Sequence, residues 1–437
     1  MVINLKSLWN GIRKIPSFPE LCGDIQTEVL IVGGGMAGIL TGYFLGEKGV
    51  NYLLIESDEI CRGVSGNTTA KITSQHGLIY GKLLDIFGKN YARLYWKANE
   101  DAVGIYRRLC ENIQCSFEEK NNYIHSVNGA DVLFKELDAL NRLEIPATFV
   151  RKTSLPFETA GAVRFDNQAQ FNPLDFVAGI AEKMNICEYT KAREFRGTTV
   201  ITDKGVIRAK KVVIATHFPI INKHGGYFLK MYQNRSYVIA LENAQQVDGM
   251  YLDEAEGGFS FRSYGDLLLL GGGSHRTGKQ GTGWVLLEEF AEKFYPDSRI
   301  KYRWAAQDCI TLDGAPYIGR YGRNTPDLFV ATGFNKWGMT FSMLSAMILS
   351  DAVCGIENKY AKLFDPSRKL FLPQLALNIC ESAANIFTFS KLRCPHLGCA
   401  LKWNRYEHSW DCPCHGSRFS RDGVLLDNPA TDDVHFD

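Results

Sequence analysis

The chain has 437 residues, 45% hydrophobic, 22% charged and 12% aromatic, with a formal net charge of +1. That length exceeds one ordinary core, so two or three domains are expected, and the near-neutral balance gives no electrostatic reason for nucleic acid or an anionic membrane as partner. No apolar run approaches the roughly 20 residues that span a bilayer, and the N-terminal MVINLKSLWNGIRK lacks the apolar core of a signal peptide, so a cytoplasmic protein is expected.

In chain order, TEVLIV at residues 27–32 reads as a buried strand ending at Gly33, Met36 to Leu45 as a helix, and VNYLLI ending at Ile55 as a second strand. This strand–turn–helix–strand unit opens a doubly wound α/β domain. Residues 86–113 have the charged, aromatic pattern of one long helix, and Lys211 to Ala215 and Leu328 to Ala331 read as further buried parallel strands. Between them Arg235 to Leu241, Gly258 to Arg262 and Asp266 to Leu270 suggest antiparallel strands, the last followed by a turn at Gly271 to Gly273. A sheet domain inserted into a discontinuous nucleotide-binding domain is expected. Asp365-Pro366 marks a boundary, residues 367–390 a linker, and a cysteine-rich tail follows.

Gly33-Gly34-Gly35-Met36-Ala37-Gly38 fits GxGxxG between strand and helix. Gly33 permits the tight turn, Gly35 lets the backbone approach a pyrophosphate, Gly38 allows close helix–strand packing, and the helix N-terminus favours phosphate charge. Glu56 ends the second strand 18 residues after Gly38, where a carboxylate can accept hydrogen bonds from a ribose. These residues leave NAD and FAD both open.

The motif's N-terminal position, the strand ending Ala215-Thr216, the loop TLDGAPYIG (311–319) and the segment LFVATGFNKWGMT (328–340) resemble the FAD-binding D-amino-acid-oxidase-like superfamily over about residues 25–365. The resemblance implies FAD and an oxidoreductase. It places the helix after Gly333, with Gly338, Met339 and Thr340, against the flavin edge where charge collects on reduction, and a positive helix end favours that charge. Arg62, Ser65, Thr69 and Ala70 lie where the family wraps the FAD phosphates and ribityl chain. Lys336 in the flavin-facing loop, and Arg235, Tyr237 and Arg262 on the inserted sheet, are the candidate catalytic residues. Cys309 is offset from the position that carries covalent flavin in some relatives, so non-covalent FAD is expected.

Of twelve cysteines, Cys394, Cys399, Cys412 and Cys414 fall within 21 residues, a cluster that points to metal or redox chemistry. Cys394-x-His396 and Cys412-x-x-His415 stand 15 residues apart. Two Cys and two His suit a [2Fe–2S] cluster with one iron on thiolates and the other on imidazoles, or a structural zinc. CPHLGC…CPCHGS resembles respiratory-chain Rieske proteins. That resemblance implies a disulfide between Cys399 and Cys414, a hydrogen bond from Ser417 to a cluster sulfur, and a covering loop at Pro429-Ala430. Phe419 stands where high-potential members carry tyrosine, so a lower potential is expected.

The resulting expectation is an α/β (α+β) FAD-binding Rossmann-like domain (about 25–85, 155–225 and 300–365) with an inserted antiparallel-sheet substrate domain (about 86–154 and 226–299). The linker joins it to a small all-β Rieske-type domain over 391–437, too short for a full supporting base, so the flavoprotein body is expected to wall it. The expected activity is oxidation of a small substrate such as an amine or amino acid, with electrons passing from FAD to the cluster and on to an acceptor; the alternatives are an oxygen-using amine oxidase with a vestigial or structural metal tail, and an electron carrier or redox sensor without metabolite turnover. A small-molecule substrate and a protein or quinone electron acceptor or donor are the expected partners, with no nucleic acid and no membrane span.

Overall fold

The computed structural model describes residues 7–11, 15–369, 375–376, 378, 384–388, 390 and 392–435. The strand Ile25–Val32, the helix Met36–Glu47 and the strand Tyr52–Ile55 form the expected opening unit. Their sheet runs in the order Tyr317–Arg320, Leu328–Thr332, Val206–Ile214, Ile25–Val32, Tyr52–Ile55, Ile186–Cys187, parallel along this path except for its first strand, while Thr199–Thr202 and Ala192–Arg196 add antiparallel strands beside Val206–Ile214. Alternating side chains feed two cores. Val29 and Ile31 join the core beneath the helices Met36–Glu47 and Gly338–Cys354, while Leu30 and Val32 join the opposite one. Each such buried side chain contributes about 2 kcal/mol.

The single helix expected over 86–113 is two, Tyr80–Phe87 and Lys89–Cys110, broken at Gly88, whose φ of +81° no helix admits. Lys89–Cys110 packs on Gly338–Cys354 and so covers the nucleotide-binding sheet.

The second sheet has the order Arg299–Thr311, Met231–Glu242, Leu267–Arg276, Ser260–Tyr264, Met250–Asp253, Glu118–Ser126, Gly161–Gln170, Lys71–Ile72, with Thr148–Val150 on Gly161–Gln170. Gly161–Gln170 and Arg299–Thr311 fall within boundaries expected for the nucleotide-binding part. They pair here instead, against Glu118–Ser126 and Met231–Glu242. The turn expected at Gly271 to Gly273 is also absent: the strand continues to Arg276, with Gly271 opposite Val238 and Gly272 opposite Tyr237. Space is tight at Gly272, where a Cβ would lie 3.1 Å from Leu287 and 3.2 Å from Phe259.

A four-stranded antiparallel sheet, Lys402–Asn404, Ser409–Asp411, Arg418–Phe419 and Leu425–Asp427, makes the C-terminal domain, with its own small core around Leu401, Phe419 and Val434. Half of the expected linker, residues 370–374, 377, 379–383 and 389, lies outside the described residues. Among the described residues no helix is long and apolar enough to cross a membrane.

Candidate active site and metal centre

A cavity of about 1170 Å³ opens along the carboxyl ends of the parallel strands, lined by Gly33, Glu56, Thr216 and Thr332 among others. Ligands of open α/β sheets bind at that edge. Gly33 turns the chain with φ +112°, and a Cβ on it would meet the Ala215 carbonyl oxygen at 2.5 Å. Gly38 packs the helix onto the turn so closely that a Cβ would lie 2.0 Å from the Gly33 carbonyl oxygen. The helix Met36–Glu47 has no side-chain cap from Gly35, so its N-terminal amides face the cavity mouth, where Ser65 Oγ accepts from the Met36 N–H at 2.9 Å. Glu56 accepts from the Gly34 N–H at 2.7 Å. A glycine cradle, a helix N-terminus at the cavity, an acidic strand end and a volume above the usual few hundred Å³ of small-ligand sites fit a bound dinucleotide.

Gly33, Gly35, Met36, Ala37, Glu56, Arg62, Ser65, Thr69, Gly333, Gly338 and Met339 all line this cavity. Gly38, Ala70 and Thr340 lie behind the wall. Thr340 donates to the Thr73 carbonyl at 2.9 Å, and the Ala70 carbonyl accepts from Arg262 at 2.8 Å. Arg62 is exposed and paired with Asp58 at 3.1 Å. The helix Gly338–Cys354 likewise starts at the cavity without a side-chain cap.

The four candidate catalytic residues separate. Lys336 (φ +71°) projects into the cavity beside Asp308. Burial holds its ammonium below the usual range against the pull of Asp308 and Glu256, and burial raises the Asp308 carboxyl against Lys336, His217 and Arg235. Arg235 and Tyr237 line the cavity but both bind Glu407 of the C-terminal domain, Arg235 Nε at 2.9 Å and the Tyr237 hydroxyl at 3.1 Å. Burial opposes ionisation of Glu407, yet Arg235 and Arg418 outweigh it and hold the carboxyl down to about 2. Arg262 is fully buried and holds the Thr69 and Ala70 carbonyls from behind the cavity wall. Cys309 is buried and does not line the cavity.

In the C-terminal domain, two similar turns present the Cys/His pairs. The Gly398 N–H donates to the Cys394 carbonyl and the Gly416 N–H to the Cys412 carbonyl, both at 2.9 Å. Nδ1 of His396 and Nδ1 of His415 converge to 3.3 Å. Burial holds His396 down to about 4 and His415 to about 3, so both imidazoles are neutral, the form a metal needs. A hydrogen bond from Cys412 is the main cause that brings the Cys394 thiol down to about 7, with Ser417 adding to it. Ser417 Oγ also accepts from the Ala430 N–H at 2.9 Å, tying the covering loop to the site. Cys399 and Cys414 form a disulfide between the turns. Two thiols and two neutral imidazoles on two adjacent turns, with the ring nitrogens of the histidines 3.3 Å apart, fit a [2Fe–2S] cluster, which Cys394, Cys412, His396 and His415 would hold.

The flavoprotein body does wall this site. His396 Nε2 meets Asn222 Oδ1 at 2.9 Å, Arg276 donates to the Pro413 carbonyl at 3.2 Å, and His415 packs edge-on to Phe228. Arg235, Glu407, Arg418 and Asp427 line the cavity together with Leu425, Asn428 and Ala430, so both domains bound the same space. Asp308, His217 and Glu407 carried no motif in the sequence. Each is placed by pairing between segments far apart in the chain.

Residues 28–352 match the FAD dependent oxidoreductase family, and residues 368–436 match the Rieske [2Fe-2S] domain. A putative Rieske 2Fe-2S iron-sulfur protein of Bacillus subtilis is 32% identical across 97% of this chain and 96% of its own. A gamma-glutamylputrescine oxidoreductase of Escherichia coli is 22% identical across 80% of this chain and 88% of its own. Glycine oxidase from Geobacillus kaustophilus shares the fold at TM-score 0.66 and 19% identity, covering 79% of this chain and all of that one. The matches give FAD and a [2Fe–2S] cluster as the cofactors. The chain belongs to the FAD dependent oxidoreductase family and carries a Rieske [2Fe-2S] domain at its C-terminal end.

Proposed function

We propose that the protein oxidises a small amine or amino acid at its FAD and passes the electrons to its own Rieske cluster, which delivers them to a protein or quinone acceptor. The observation that carries this reading is the shared cavity, whose wall runs from the glycine turn at Gly33 to Glu407, Arg418 and Asn428 of the cluster domain. FAD supplies two-electron chemistry and the cluster one-electron chemistry. The substrate's C–N single bond becomes C=N, its two protons leave to solvent, and a one-electron acceptor is reduced twice.

The chain's own residues have defined parts in this scheme. Gly33, Gly35 and the Ala37 amide receive the pyrophosphate beside Ser65, which holds the Met36 amide, with Glu56 on the ribose. Ser65 and Thr69 line the path of the ribityl chain, and the N-terminus of Gly338–Cys354 faces the flavin. Lys336 and Asp308 both line the cavity, a basic and an acidic group suited to a substrate carrying both a carboxylate and an amine. Arg235 and Tyr237 position the cluster domain through Glu407 rather than touching substrate. The Escherichia coli relative, named for gamma-glutamylputrescine, supports a nitrogen-bearing substrate.

The test is anaerobic mixing of the holoprotein with a panel of amines and amino acids, following flavin and cluster absorbance together. A substrate that bleaches the flavin and then the cluster is the expected result. Flavin reduction that never reaches the cluster, with stoichiometric hydrogen peroxide once oxygen is admitted, contradicts the relay.

A further inference from the structure

Two buried glutamines sit where three parts of the molecule meet. Gln233 on Met231–Glu242 and Gln307 on Arg299–Thr311 are each 1% exposed. Buried primary amides are tolerated only when their polar atoms are paired, and these spend their donors on the cluster domain. Gln233 Nε2 donates to the carbonyls of His415 and Asn428, both at 2.8 Å. Gln307 Nε2 donates to Gln233 Oε1 and to the Gly416 carbonyl, both at 2.8 Å, and Gln307 Oε1 accepts from the Thr277 hydroxyl at 2.9 Å. Gly416 (φ +88°) rides directly on the Gln233 stem, where a Cβ would lie 2.5 Å from Gln233 Cβ.

On the other side the same assembly grips the carboxyl edge of the nucleotide-binding sheet. Asn428 Nδ2 donates to the carbonyls of Thr216 and Phe218 at 2.5 and 3.0 Å, bracketing His217. His217 lines the cavity while its ring faces the Gln233 side chain and the Gln307 backbone, and its buried Nε2 has no partner among the described residues. Two side chains, His217 and then Gln233, therefore lie between the cavity and the backbone of His415, and Gln307 alone lies between the cavity and the Gly416 carbonyl.

We propose that His217, Gln233 and Gln307 are positioning residues for electron exchange between the two centres: the glutamine pair clamps the His415–Gly416 backbone onto the cavity wall that His217 forms. This rests on the relay proposed above. A clamp on backbone carbonyls fixes the loop without altering the ligands, so its effect falls on the separation and packing of the centres rather than on the cluster itself. Polar networks in which every member is satisfied are rigid, and small displacements of reacting centres carry large rate penalties.

The experiment is anaerobic flash photoreduction of the flavin in holoprotein, following the transfer of the electron to the cluster by absorbance, in the wild type, Gln233→Leu and His217→Ala. Flavin and iron contents and the cluster EPR spectrum are measured on each. Both variants are expected to keep the cofactors and the EPR spectrum and to slow the flavin-to-cluster phase by about tenfold or more. If Gln233→Leu loses iron, His217→Ala, which leaves every hydrogen bond to the loop in place, carries the test alone. An unchanged phase in a variant retaining both cofactors overturns the inference. A wild type with no such phase contradicts the relay itself, a distinct failure.

Discussion

His76 shows how burial fixes a protonation state next to the flavin-facing helix. Its Nδ1 meets the Tyr95 hydroxyl and its Nε2 the Thr73 carbonyl, both at 2.8 Å, and its ring stacks on Trp337. Burial holds it down to about 3 against the favourable Thr73 carbonyl, so it is neutral in the fold and protonated in the unfolded chain below about pH 6.5. Its contribution is complete above pH 6.5 and is lost as pH falls toward 3, at up to about 1.4 kcal/mol per pH unit. His76→Gln keeps a donor and an acceptor without the titration. The thermal midpoint of this variant is expected to fall less than that of wild type between pH 6.5 and 4, and parallel curves would contradict the account. At this scale the sequence was legible wherever chemistry is local. Cys394-x-His396 and Cys412-x-x-His415 stand out in the sequence because each pair lies on one turn. Gln233 and Glu407 declare nothing, because their partners lie 182 and 172 residues away.

Among the elements, the hairpin of Lys402–Asn404 and Ser409–Asp411 carries Glu407 in its turn and docks it on the strand Met231–Glu242. Glu407 joins Arg235 and Arg418, all nearly buried, and Arg418 also pairs with Asp411 at 3.1 Å and Asp427 at 2.9 Å. Such a group is costly to break, since removing one partner strands the other charges away from water. Glu407→Gln is expected to destabilise the protein by about 3 kcal/mol in urea unfolding, and a change within about 0.5 kcal/mol would show that the charges are solvated instead. The strands and helices of the opening unit were legible because hydrophobic period and glycine turn agree there. Leu267–Arg276 runs past its glycines, where the tight space against Leu287 and Phe259 is invisible in the local pattern.

For the whole molecule, the C-terminal domain and the body are best considered together. Four short strands and a small core supply little burial of their own, and the body supplies the missing wall through Asn222, Phe228, Gln233 and Arg276. The same docking places Glu407, Arg418 and Asn428 of the C-terminal domain in the wall of the cavity, which is the contact on which the proposed relay rests. The sequence indicated both cofactors and the need for a wall, but not which face would serve, since that depends on pairings between remote segments. The claim on which everything rests is that both centres reside on this chain. It is tested most directly by a visible and EPR spectrum of protein prepared without oxygen, with flavin, iron and zinc quantified. One flavin and two irons per chain, with the low g-average of a His-ligated cluster after reduction, is the predicted result. Flavin accompanied by zinc, or by no metal, would contradict it.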